Sequence, residues 1–128
     1  MPDQTLELDA APDAVRKARR FTEGLLESWP EPTRNVVVLL VSELATNAVL
    51  HARTPFGLTI TVDGSNVRVA VVDGSHHAPV LKNFGPEAVT GRGMRLVDTL
   101  SQRWGTEPRE DGKAVWFELA VDSGGRGA

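Results

Sequence analysis

Glu43, Asn47 and His51 stand four residues apart in Glu43-Leu44-Ala45-Thr46-Asn47-Ala48-Val49-Leu50-His51. Four residues advance an α-helix by about 6 Å and return nearly to the same azimuth. An acid, an amide and an imidazole therefore share one stripe of a helix that is otherwise apolar nearly all round, from Val36-Val37-Val38-Leu39-Leu40-Val41 onward. A buried amide without partners costs about 1–3 kcal/mol, and an unpaired buried carboxylate more. Such a stripe needs a polar ligand, a metal or an internal network of hydrogen bonds, and the helix alone leaves these three open.

Two further segments offer chemistry. Asp73-Gly74-Ser75 closes an apolar alternating run. A carboxylate at a strand end can accept a hydrogen bond from an amine, and a neighbouring glycine leaves room for a ligand. Gly91-Arg92-Gly93-Met94 precedes a helical pattern. Backbone N–H groups at a helix start, together with the helix dipole, favour a phosphate there. Each signal is common by itself, and their combination in this order is much more specific.

The elements that must position these residues are legible from periodicity. Thr5-Leu6-Glu7-Leu8 alternates as a short edge strand. Ala11-Pro12-Asp13 opens a helix whose apolar stripe is Val15, Ala18, Phe21, Leu25 and Leu26. Pro30 and Pro32 break the chain, Thr33 is the expected N-cap of the second helix, and that helix runs to about Ala52. Leu58, Ile60 and Val62, then Val67, Val69 and Val71, alternate on either side of Asp63-Gly64-Ser65-Asn66, a strong hairpin signal. Residues 76 to 90 carry no periodicity and read as a loop. Met94, Val97, Leu100 and Ser101 are expected to face inward from a third helix. A strand starts at Trp104-Gly105, turns at Glu110-Asp111-Gly112, and returns through Val115, Phe117, Leu119 and Val121. The expectation is an α+β two-layer sandwich, with a mostly antiparallel mixed sheet and its helices on one face. Residues 1–122 form the expected domain, and 123–128 a flexible tail.

Composition narrows the function. The 128 residues carry a formal net charge of −3, no cysteine and three histidines, of which none forms an HxH or HxxxH pair. Disulfides and thiolate zinc sites are excluded, and a metal site of protein ligands alone is not expected. Arg16, Lys17, Arg19 and Arg20 are the one basic cluster and fit a solvated helix face, so neither nucleic acid nor membrane is an expected partner. The sequence has no signal-peptide h-region and no evident run of about 20 apolar residues, which points to the cytoplasm.

Together these motifs resemble the histidine kinase/Hsp90-like ATPase superfamily, the GHKL or Bergerat fold. Within it they resemble the small anti-sigma-factor serine/threonine kinases and their single-domain bacterial relatives. The likeness extends from about Leu6 to Val121. Glu43 to His51 looks like the N box, Asp73-Gly74-Ser75 like the G1 box, and Gly91-Arg92-Gly93-Met94 like the G2 box. Arg53-Thr54-Pro55 and Gly112-Lys113-Ala114-Val115-Trp116 are similar to stretches common in actinobacterial relatives.

The resemblance implies ATP and Mg²⁺ as cofactors. Asn47 would hold the metal, Asp73 with Gly74 would receive the adenine amine, and Gly91, Arg92, Gly93 and Met94 would face the phosphates. Glu43 would be the general base toward a substrate serine. The implied partners are a small anti-sigma antagonist protein and a sigma factor, with self-association through a sheet edge as a further option. The implied activity is an ATP-dependent serine/threonine protein kinase; the alternative is a nucleotide-gated protein-sequestering module without significant kinase activity. His51 is read as a supporting residue and not a phosphate acceptor. The sequence departs from the family pattern where His76 replaces the second G1 glycine, in the short loop toward the G2 box, and where Lys113 follows Gly112 in place of a common threonine.

Overall fold

The computed structural model describes residues 3–75 and 96–120. The expected loop over 76–90, the segment Gly91, Arg92, Gly93 and Met94, residue Val121 and the tail lie outside the described residues. Strands β1 (Gln4–Leu8), β2 (Phe56–Asp63), β3 (Asn66–Asp73), β4 (Arg103–Arg109) and β5 (Gly112–Ala120) form one sheet in the order β1-β2-β3-β5-β4. All four pairings are antiparallel. Helices α1 (Ala14–Leu25) and α2 (Glu31–Asn47) form the second layer, so the fold is the expected α+β sandwich.

Alternation along the strands divides the sheet into two faces. Phe56, Leu58, Ile60, Val67, Val69, Val71, Val115 and Phe117 are buried and join Val37, Leu40, Val41 and Leu44 of α2 in one core. The opposite face is polar. Arg68 bonds Glu118 at 2.9 Å and lies 4.2 Å over the Trp116 ring, and Arg103 pairs with the same glutamate. The Arg103 hydrogen bond, with help from Arg68, holds the Glu118 carboxyl below its ordinary range. A Cβ on Gly105 would lie 3.0 Å from the Trp116 ring, so this glycine gives the indole its seat.

The hairpin between β2 and β3 closes on Gly64-Ser65, with positive φ (62°) at Gly64, the conformation that two-residue hairpins require. In α1 the buried row is Ala14, Ala18 and Thr22, followed by Leu26, while Val15, Phe21 and Leu25 are only partly buried. Small side chains on that row let α1 lie close to α2, which is why the seam is displaced from the large residues. The four basic residues of α1 are exposed, as a solvated face requires.

Three expectations change. Thr33 does not cap α2: the helix starts at Glu31 with Pro30 before it, and Thr33 is buried in the first turn. Proline is tolerated there because first-turn N–H groups have no helical acceptor. Glu31 complements the dipole, and Arg34 donates to the Glu27 and Trp29 carbonyls to fix the corner. Leu100 is exposed, whereas Val97 is fully buried; residues 96–100 are helical, and only one side of that short stretch meets the core. Finally, Glu31–Ala52 is long and apolar enough to cross a membrane by length and composition. Its valines, leucines and alanines keep mean hydropathy high across the interspersed polar residues, although no purely apolar run is long. It packs here as the central core helix, and α2 is buried through Val37, Leu40, Val41, Leu44 and Ala45.

Candidate functional site

The last residue of α2 is Asn47, and the chain then widens into a π-helical turn, Ala48–Ala52. The Arg53 N–H donates to Ala48 O at 2.9 Å, five residues back, and Arg53 ends the turn in the left-handed conformation (φ 58°). Wide turns of this kind interrupt the α-helical spacing and occur often at functional sites. His51 consequently leaves the strict Glu43–Asn47 stripe and is exposed. Partial burial of the ring, then the charges of Arg53 and Lys113, push its pKa below the usual imidazole value.

Thr54 joins this turn to the end of β3: its Oγ1 accepts the Gly74 N–H at 2.8 Å. Asp73 ends β3, buried, and its Oδ1 accepts the Ser75 N–H at 2.8 Å. Across the β3–β5 ladder Asp73 is in register with Lys113. The Lys113 ammonium donates to both carboxylate oxygens at 3.0 Å, and these side chains are only 10% and 3% exposed.

Gly112 makes this approach feasible. It has φ 152°, and a Cβ there would sit 1.8 Å from the Asp73 carbonyl oxygen. By contrast, a Cβ on Gly74 would meet Thr54 at an ordinary 3.4 Å, so sterics alone do not demand glycine at that position.

Leu44, Asn47, Ala48, Val71, Asp73, Lys113 and Val115 line one cleft between α2 and the sheet. Asn47 is buried at its α2 side and Asp73 on its β3 side. Glu43 lies half-buried one turn before Asn47. The fold thus joins Asn47, Asp73 and Gly74 into one locality, with Glu43 adjacent, while Gly91, Arg92, Gly93 and Met94 lie outside the described residues. Lys113 and Gly112 join the site as well; the sequence marks them as a departure from the family pattern, a lysine directly after the glycine of the last hairpin where a threonine is common.

A profile of the histidine kinase-like ATPase domain matches residues 8–119. The chain belongs to the histidine kinase-like ATPase family. It is 37% identical over 86 residues to an uncharacterized protein of Streptomyces coelicolor, covering 62% of this chain and 81% of that protein. Its fold is similar to the structure of the RsbU and RsbW domains of Rv1364c from Mycobacterium tuberculosis, with a TM-score of 0.71 at 17% identity. That match covers 94% of this chain and 32% of the mycobacterial one, so the chain spans about a third of that protein's length. It is also similar to the nucleotide-free catalytic domain of the histidine kinase ThkA, with a TM-score of 0.55 at 15% identity, covering 94% and 98% of the two chains.

The donor set can be tested against the nucleotide and metal that such a family implies. A buried carboxylate at a strand end suits an exocyclic amine. Among the described residues no three His, Asp or Glu side chains gather to hold a metal. One amide oxygen from Asn47 is a fitting contribution where a phosphate chain and water supply the remaining ligands, as is usual for Mg²⁺. The residue types therefore fit, and Lys113 occupies the space beside Asp73.

Proposed function

We propose that this domain is an ATP- and Mg²⁺-dependent regulatory serine/threonine protein kinase of the anti-sigma-factor type, acting in the cytoplasm on a serine of a small antagonist protein. A sigma factor is the second partner in this reading, and residues 1–122 are its working domain. The observation that carries it is the convergence of Asn47 and Asp73, from different layers of the fold, on one cleft. Asp73 would receive the adenine amine. Asn47 would hold the metal, which neutralises phosphate charge. Gly91, Arg92, Gly93 and Met94 would approach the phosphates.

Glu43, one turn before Asn47, would accept the proton of the substrate hydroxyl as its oxygen bonds to the γ-phosphorus and ADP departs. A position one turn from the metal ligand lets a carboxylate serve the incoming hydroxyl without displacing that ligand.

The test pairs calorimetry with transfer of labelled γ-phosphate to a serine-bearing antagonist. Asn47→Ala should lose most Mg-ATP affinity while remaining folded. Glu43→Gln should retain affinity and lose transfer by about 10²–10⁴-fold, nearer the smaller value because a loose phosphoryl-transfer transition state needs little help from a base. Full ATP binding by folded Asn47→Ala would rule out the site assignment. Loss of binding and transfer together in Glu43→Gln would make that residue a structural one.

One observation favours a second reading, a nucleotide-gated sequestering module: Asp73 is already engaged by Lys113. A parent protein that binds nucleotide and its antagonist but transfers no phosphate would establish it.

A further inference from the structure

The cleft between α2 and the sheet is lined as a base-binding seat would be, yet at about 10 Å³ it has room for one water at most. Small-molecule sites ordinarily offer about 300 Å³ or more. A side chain of the protein itself takes part of that space. Lys113 extends from β5 into the cleft and sets its ammonium 3.0 Å from both Asp73 oxygens. Leu44, Val71 and Val115 form apolar walls that suit a lysine stem as well as the face of a purine.

We infer that Lys113 is an internal occupant of the base seat, a latch whose amine takes the place of the adenine amine on Asp73 and must leave before nucleotide enters. This rests on the nucleotide-binding reading of the site. The register fixes the latch in place, because Lys113 is directly opposite Asp73 and Gly112 carries no Cβ to hold the strands apart. The carboxylate cannot serve both amines in the same position. Adenine would have to exchange a full positive charge for a neutral donor, which weakens its hold. The lysine stem supplies the freedom to exchange, because it has four rotatable bonds, and Gly74 beside Asp73 is exposed. Occupancy by Lys113 thus sets a threshold nucleotide concentration below which the domain remains closed on itself.

Two measurements on the full chain test the latch. In calorimetry with Mg-ATP, Lys113→Thr should bind about ten- to a hundredfold more tightly than the parent, the scale of a hydrogen bond to a charged group. In the parent itself, acylation of Lys113 by an N-hydroxysuccinimide ester, read by mass spectrometry against the exposed Lys17, should be slow without nucleotide and accelerate with saturating Mg-ATP. Equal ATP affinity of parent and variant, or continued protection of Lys113 in nucleotide-saturated parent, overturns the latch and leaves the nucleotide site standing. If neither parent nor folded Lys113→Thr binds ATP, both the latch and the nucleotide reading fall. The labelling arm needs no substitution, so misfolding of the variant does not shield the proposal.

Discussion

Removing the Asp73 carboxylate while leaving Lys113 in place strands an ammonium on a side chain that is only a tenth exposed. Breaking a buried pair from one side typically costs about 3–5 kcal/mol, whereas replacing both partners by apolar groups is often close to neutral. Asp73→Asn should therefore destabilise the fold by roughly that amount in urea denaturation, and Asp73→Leu combined with Lys113→Met should recover most of the loss. An additive double variant would mean that the two side chains do not depend on each other. Ser75 also donates to Asp73, so its N–H loses an acceptor in any variant that removes the oxygen. Asn47 and Asp73 could be singled out from residue type and position within their runs. The partnership of Asp73 with Lys113 could not, since forty residues separate them in the chain.

At the scale of elements, what local periodicity governs was readable and what strand order governs was not. The Asp63-Gly64-Ser65-Asn66 turn appears between two alternating runs, and both strands form there. The second hairpin is equally local, joining β4 and β5. β5, however, inserts between β3 and β4, and only that placement brings Gly112 against the Asp73 backbone. The π-helical turn was likewise hidden, because Ala48-Val49-Leu50-His51-Ala52 continues an ordinary helical composition. Thr33 reads as a cap because threonine commonly is one, whereas proline geometry and the Arg34 contacts fix the start of α2 at Glu31. Gly112→Ala tests the interlock. A Cβ 1.8 Å from a backbone oxygen, on a residue with φ 152°, has nowhere to go without moving β3 or β5. The expected loss is at least about 3 kcal/mol, from backbone strain and overpacking together. Denaturation midpoints would measure it, and a loss below about 1 kcal/mol would mean that the two strand ends yield easily.

For the whole molecule, the cleft matters because its walls belong to both layers: Leu44, Asn47 and Ala48 from the helical side, Val71, Asp73, Lys113 and Val115 from the sheet. The apolar character that makes Glu31–Ala52 long and apolar enough to cross a membrane is the same character that fills this interlayer core. A ligand seated between the layers is bound only when both are assembled. It should therefore raise global stability by mass action, by about 2.7 kcal/mol at a concentration 100 times its Kd. For a domain of this size that corresponds to a Tm increase of roughly 10 °C. Mg-ATP should produce the shift in scanning calorimetry. GTP should produce a smaller one at the same concentration, because its base presents a carbonyl where Asp73 requires a donor, and pockets built around one hydrogen bond discriminate strongly against its loss. Removing Mg²⁺ with a chelator should reduce the ATP shift if Asn47 acts through the metal. An unchanged Tm at saturating Mg-ATP would count against nucleotide binding. Equal shifts with ATP and GTP would instead retain the phosphate side of the site and deny Asp73 its role in reading the base.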